Sequence, residues 1–291
     1  MSRITEGHLV RHYQGAKGGR DAALLDIAQD HALHRLYQLG LFKQGLVFKG
    51  GTALRKFRAG NSGRFSTDLD FAAPDESLAL AVLEALDDVE IDGFTFALKN
   101  IGDDGRRADL TVGTPFGTPR LGAKVELARH ALTLEAEQLE PVALPIHTRY
   151  DFPLPMLPVV RTEEAIAEKL ARFRRVPLAR DLYDLHWYAT AGALDVALVR
   201  RLWVLKVYRD IAVDGRGTKP IDPNDVLKAW SADGFRPEDI GYLTKPVRLD
   251  EWLTTVRTRY AFLADLDADE RRWAEVNARH LHEVTAALEQ L

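Results

Sequence analysis

At 291 residues the chain is long enough for one large domain or two ordinary ones, and 46% hydrophobic with 28% charged residues describes a soluble protein with a sizeable core. A formal net charge of −4 excludes binding to nucleic acid by bulk charge, so any polyanion must be met by a local basic patch. The absence of cysteine excludes disulfides, thiolate metal sites and cysteine nucleophiles, and fits a reducing cytoplasm.

The opening stretch MSRITEGHLVRHYQGAKGG has no apolar h-region, and no apolar run reaches about 18 residues. Neither a signal peptide nor a membrane span is expected. After a glycine-rich turn at Gly15 to Gly19, Asp21 can cap a helix running to about Leu39. Leu25, Ala28, Ala32, Leu36 and Leu39 form its apolar stripe. GLVFKGG then reads as a short strand broken by glycines, TALRKFRA as a short helix, and STDLDFAA as a strand by its alternation. ESLALAVLEAL is a second helix, followed by candidate strands at 94–98, 107–113 and 123–129.

Five prolines in PVALPIHTRYDFPLPMLPVV predict an extended, linker-like stretch. Beyond it, 162–175, 180–190, 195–211, 223–232, 249–266 and 269–291 all read as helices. The expected fold class is therefore α+β: a mixed α+β core over residues 1–155, then a helical domain over 156–291.

The chemistry concentrates in KGGTALRKFRAGNSGRFSTDLDF, residues 49–71. On a strand, residues two apart share a face, so Asp68 and Asp70 project together, with Ser66 one step earlier, while Leu69 and Phe71 turn inward. Adjacent carboxylates repel unless neutralised, and Mg²⁺ suits a carboxylate pair plus substrate phosphates. Two such ions about 4 Å apart can clamp both the attacking and leaving oxygens of a phosphoryl displacement. Gly50 and Gly51 supply the complement, since their amides and those opening a helix at Thr52 form a nest for a triphosphate. A lone Gly-Gly or a lone DxD reads as a tight turn or a solvated strand end. The two in strand–GG–helix–DxD–strand order read as a site.

This stretch resembles the signature of the DNA polymerase β-like nucleotidyltransferase superfamily. VFKGGTAL…RFSTDLDF is more narrowly similar to the AbiEii/MenT-type toxins of AbiE (type IV) toxin–antitoxin systems. A second block, TEEAIAEKLARFRRVPLARDLYDLHWYA (162–189), resembles that family's later motifs. The resemblance implies a polymerase β-like core and a cytoplasmic enzyme that adds nucleotides from an NTP, CTP or UTP being the candidates, to the 3′ end of tRNA. It implies Mg²⁺ or Mn²⁺ as cofactor and a cognate AbiEi-like antitoxin as partner. Residue by residue, Asp68 and Asp70 would hold metal, Lys169 would contact phosphate, and Asp184 would complete the site, with Asp181 as the other member of its acidic pair. Gly50, Gly51, Thr52, Ser66 and Arg55 would form the nucleotide cradle. In some similar toxins the antitoxin silences the enzyme by phosphorylating a serine placed like Ser66, which makes Ser66 a regulatory candidate.

The superfamily's third carboxylate falls on Glu126, with Asp109 as the competing candidate. Lys169 sits beside the Ile166/Leu170/Phe173 stripe of its helix, where a carboxylate from the next helix can hold Lys169 or Arg172. Arg172, Arg174, Arg175 and Arg180 form a dense basic run expected to contact RNA, with Arg55, Lys56 and Arg58 extending it. Tyr183, Trp187 and Trp203 are assigned to the core. No zinc spacing, GxSxG elbow or Walker A motif occurs. Two alternatives stand beside the tRNA reading: transfer to a small-molecule or protein hydroxyl, and a catalytically silent subunit of an antitoxin complex.

Overall fold

The computed structural model describes residues 4–15 and 17–291. The first three residues of the opening stretch, and Ala16 of the expected Gly15–Gly19 turn, lie outside the described residues. The chain forms two compact units. One comprises residues up to Leu132, Ala136–Val160 and Gly241–Pro246; the other comprises Thr133–Glu135, Arg161–Ile240 and Val247–Leu291.

The first unit is built on an eight-stranded mixed sheet. Its strands are β1 (Val47–Lys49), β2 (Leu69–Ala72), β3 (Val89–Ile91), β4 (Phe94–Lys99), β5 (Arg107–Thr114), β6 (Gly117–Ala128), β7 (Glu137–Leu139) and β8 (Leu157–Val159), in the order β3-β4-β5-β6-β2-β1-β8-β7. β2 runs parallel to β6 and antiparallel to β1, which lets two strands distant in sequence flank the carboxylate strand. Helices α1 (Glu6–His12), α2 (Gly19–Gln38), α3 (Gly50–Leu54) and α4 (Glu76–Leu86) complete the unit. α2 and α4 touch the antiparallel strands, whose buried side includes Phe94, Phe96, Leu110 and Val112.

α2 departs from the simple amphipathic reading. Leu25, Ala28, Ala32 and Leu36 are buried as the stripe predicts, whereas Leu39 is 48% exposed, beyond the helix end at Gln38. Asp26, Gln29, Asp30 and His31 are also buried, so this helix is enclosed on its polar side as well. Burying carboxylates is costly unless each is paired and hydrogen-bonded, and they are. Asp26 Oδ1 receives Arg55 Nε at 2.9 Å and Lys56 Nζ at 3.1 Å, and Asp26 Oδ2 lies 2.8 Å from His12 Nε2. Asp30 takes Lys56 Nζ at 2.7 Å and the Tyr150 hydroxyl at 2.7 Å. Burial alone would push the Asp26 carboxyl up; the Arg55 and Lys56 charges and the His12 hydrogen bond override it and hold it well below the usual carboxylate range.

The proline-rich stretch is a correction. Prolines exclude α-helix there, but extended backbone is also what a sheet accepts. After a 3-10 turn at Pro145–Arg149, β8 pairs in parallel with β1 through Phe48↔Val159 and antiparallel with β7. Leu144, Ile146, Tyr150, Leu157 and Val159 are buried, so the stretch belongs to the core.

The second unit is helical: α5 (Thr162–Arg175), α6 (Ala179–Ala191), α7 (Val196–Ala212), α8 (Asn224–Leu227), α9 (Leu249–Arg259), α10 (Ala268–Ala274) and α11 (Leu281–Glu289). α5 packs on α6 and α7, and Phe173 and Trp203 are fully buried. Three expected helices are shorter than their periodicity suggests: the 249–266 segment is α-helical only over α9 and continues as a 3-10 turn at Ala261–Ala264. The 223–232 segment is helical only over α8, because the Trp230 indole donates back to the Val226 carbonyl at 3.2 Å and its ring stacks edge-on against Phe173 and Phe235. The 269–291 segment breaks between α10 and α11, where buried Val276 adopts φ 51° and the Asn277 side chain caps a new turn.

Candidate active site

In the first unit the site begins with the glycine turn. β1 ends at Lys49, and Gly50 opens α3 with φ 79°, a left-handed conformation that favours glycine. A Cβ on Gly50 would also collide with Oδ2 of Asp70. On Gly51 it would collide with Nη2 of Arg64 and lie 2.9 Å from the Ser66 hydroxyl. The glycines are thus demanded twice, by backbone angle at Gly50 and by the side chains laid against both. A widened π-type turn over Arg55–Ala59 continues the helix.

The loop into β2 is held from several directions. Thr52 Oγ1 donates to the Asp68 carbonyl at 2.5 Å, and Gln29 Nε2 donates to the Ser66 and Thr67 carbonyls at 3.0 and 2.9 Å. Phe65 N–H donates to the Tyr242 carbonyl at 2.8 Å. On β2 the burial alternates: Leu69 and Phe71 are enclosed while Asp68 and Asp70 are half-exposed. Register then places Asp70 between Lys49 on β1 and Glu126 on β6, and Glu126 beside Arg107 on β5. One row of the sheet therefore reads Lys49–Asp70–Glu126–Arg107, a carboxylate pair with a cation at each end. Arg107 Nε lies 3.5 Å from Glu126 Oε1.

Of the two candidates for the third carboxylate, Glu126 is the neighbour of Asp70. Asp109 is one strand further out and accepts Asn100 Nδ2 at 2.7 Å. Ser66 is buried, with its hydroxyl against Gly51. Arg55 is withdrawn from the cradle. It is 1% exposed, and its guanidinium is taken by Asp26 and the Gly60 and Gly63 carbonyls and stacks on Phe65 at 3.5 Å. Lys56 and Arg58 do not form a basic patch either: Lys56 serves Asp26 and Asp30, and Arg58 pairs with Glu137 at 2.7 Å and the Val160 carbonyl at 3.0 Å. The sequence reading passed over Arg64, buried against Gly51, and Gln29. Arg64 lies inside the motif stretch, but only its position distinguishes it from the other basic residues there.

In the second unit, Lys169 Nζ donates to Asp184 Oδ2 at 2.6 Å, and Asp184 is fully buried. The neighbouring turn of the same two helices pairs Arg172 with Asp181 at 3.2 Å. Arg174, expected to face RNA, is 9% exposed; it pairs with Asp225 at 2.8 Å and donates to the Thr218 and Pro220 carbonyls at 2.6 and 2.8 Å. Arg175 lies 3.5 Å from Asp210. Arg180 is half-buried near the start of α6. The basic run of the sequence is thus largely neutralised within its own unit. Burying the guanidinium of Arg174 fixes the 218–220 segment, a structural role.

Half-exposed carboxylates that are sheet neighbours suit a hard divalent cation, which takes oxygen donors. Among the described residues no three His, Asp or Glu side chains converge as a ready-made cage. An ion held by fewer carboxylates would complete its shell with phosphate and water.

A mixed sheet that sets a glycine turn against strand-borne carboxylates is a nucleotidyltransferase arrangement. Residues 31–284 match the family described as nucleotidyl transferase AbiEii toxin, type IV toxin–antitoxin system. The structure is similar to that of MenT4, a nucleotidyltransferase toxin from Mycobacterium tuberculosis H37Rv, at 53% identity over 99% of each chain, with a TM-score of 0.95. A putative nucleotidyltransferase from H. pylori is 20% identical over 82% of this chain and 94% of its own, with a TM-score of 0.47. JHP933 from Helicobacter pylori is 17% identical over 91% and 97%, with a TM-score of 0.48. No curated protein matches the chain. The chain belongs to the AbiEii family of nucleotidyltransferase toxins. Membership implies an NTP substrate, a divalent metal and a cognate antitoxin. No helix among the described residues is long and apolar enough to cross a membrane.

Proposed function

We propose that the chain transfers a nucleotide from an NTP to the 3′ hydroxyl of tRNA, releasing pyrophosphate and blocking translation in the cytoplasm until its antitoxin intervenes. The observation that carries the reading is the packing of Asp70 against Gly50, in register with Glu126, which joins a phosphate cradle to a carboxylate set. Asp68, Asp70 and Glu126 would hold Mg²⁺ or Mn²⁺. When bound, the metal neutralises the triphosphate and polarises the α-phosphate for in-line attack.

The remaining work falls to the protein. The first amides of a helix have no intrahelical acceptor, so those of Gly50, Gly51 and Thr52 would receive phosphate oxygens. Lys169 would contribute a fixed positive charge to the phosphates, oriented by Asp184. Positioning and charge neutralisation supply most of the rate in such reactions. Incubation with total tRNA, Mg²⁺ and each labelled NTP in turn tests the reading. Label in the 3′ terminal nucleotides of tRNA supports it. Label in protein or a small hydroxyl compound, with tRNA bare, points instead to the alternative acceptors, which the neutralised Arg172–Arg175 run favours.

A further inference from the structure

With the expected RNA-contacting arginines largely paired off, the cations that remain unneutralised near the carboxylates lie elsewhere. β4, β5 and β6 alternate buried residues such as Phe96, Leu110 and Val125 with exposed or half-exposed ones, so one side of this antiparallel region is open. On that open side Lys99 registers with Asp109, and Asp109 with Lys124. This second row lies two residues along from Arg107–Glu126–Asp70, and Arg120 follows further along β6. Among the described residues, Lys99, Arg120 and Lys124 have no ion-pair partner. Between these cations the side chains are Thr95, Ala97, Thr111, Gly113 and Gly122, nothing larger than threonine.

We propose that this open sheet face is the track for the RNA acceptor, with Lys99, Arg107, Arg120 and Lys124 contacting its sugar-phosphate backbone. The inference rests on the reading of RNA as acceptor and names the surface that would hold it. Charge favours this occupant: with Asp70 and Glu126 already placed with the metal, four cations face two remaining carboxylates, Asp109 and Glu90 opposite Thr95, in a chain whose net charge is −4. Continuity favours it too. From strand spacing and rise, Lys124 stands roughly 8 Å from Asp70 and Lys99 about 16 Å away, so the track starts where the 3′ hydroxyl must sit. A flat strip of small residues admits a backbone closely, and between the cations no large apolar side chain offers a protein partner an anchor, exposed Ile101 lying past the end of β4.

The test compares the wild-type chain with a Lys99→Ala/Arg120→Ala/Lys124→Ala variant for binding of deacylated tRNA across a salt series. A Lys245→Ala/Arg257→Ala/Arg271→Ala control removes the same charge from exposed positions elsewhere. Each phosphate contact contributes roughly 0.7–0.9 to the slope of log affinity on log salt. The track variant should therefore lose about 2–3 from that slope and bind at least tenfold more weakly near 0.15 M salt. Melting temperature should match wild type, because the replaced side chains are exposed or, at Lys124, half-exposed and have no ion-pair partner among the described residues. An unchanged slope, or an equal loss in the control, overturns the proposal. If instead wild-type chain neither binds nor extends tRNA, the acceptor reading fails first, an outcome distinct from failure of the track.

Discussion

At the scale of single residues, the site depends on what each side chain is pressed against. Asp68 and Asp70 are half-exposed on a strand whose inward residues stay in place, so Asp68→Ala or Asp70→Ala should leave the melting temperature near wild type. Nucleotide transfer should fall by about a hundredfold or more, the order seen when one preorganised electrostatic group is removed. Full transfer by either variant at unchanged Mg²⁺ demand would remove both from the site. Lys169 behaves differently from its sequence reading. Its place beside the apolar stripe suggests a cheap substitution, but its ammonium partners a fully buried carboxylate. Removing the ammonium from this carboxylate by Lys169→Ala should cost about 1–3 kcal/mol. Adding Asp184→Asn should restore most of that stability in denaturant titration while transfer stays lost. Recovery of transfer in the double variant would make the lysine purely structural. For Ser66, a phosphate adds about −1.5 to −2 charges against the glycine turn, so Ser66→Asp should abolish transfer. Full activity in that variant, with Ser66 unmodified on co-expression with the antitoxin, would exclude this control. Because Ser66 is buried, modification would need the loop before β2 to open.

At the scale of elements, much of the fold is legible in the pattern and its exceptions have physical causes. Alternation on β2, β5 and β6 and the stripe of α2 suffice to place those elements. GG followed by DxD marks the site because glycine is forced there by φ and by the Asp70 carboxylate. Register is not legible, since nothing local tells Glu126 from Asp109 until β2 lies beside β6. Nor is the destination of a cation: Arg55, Lys56 and Arg174 look like patch residues and are buried ion-pair partners. Asp26 and Asp30 on α2 look solvated for the same reason, their partners being 14 or more residues away. Arg174 offers the check at this scale. Arg174→Ala leaves Asp225 and two carbonyls between α7 and α8 without their donor, so it should destabilise the helical unit by about 3 kcal/mol. Calorimetry or denaturant titration measures it. An Arg174→Ala chain of wild-type stability and weaker tRNA affinity would return this residue to the RNA surface.

At the scale of the whole molecule, buried titratable groups set the pH range in which the chain is stable. Burial holds His31, His34, His147 and His186 below the usual imidazole value, against the pull of neighbouring carboxylates at each. A histidine whose folded pKa lies below about 6.5 binds fewer protons in the folded chain than in the unfolded one, so stability rises with pH through that window. Its contribution is full above about pH 6.5 and is lost as pH falls towards the folded value. Asp26 acts in the same direction further down, losing its contribution only as pH drops through the depressed carboxyl value. Asp210 opposes in the carboxylate range, because burial pushes it up and protonation relieves it. The four histidines outnumber it. The melting temperature should therefore be highest above about pH 7 and should decline steadily towards pH 5.5 as the unfolded chain's imidazoles gain protons. His147→Gln should flatten that decline, because a neutral amide has no proton to gain on unfolding. A melting temperature constant from about pH 7.5 to 5.5 in the wild-type chain would show that these four rings titrate alike in the folded and unfolded states.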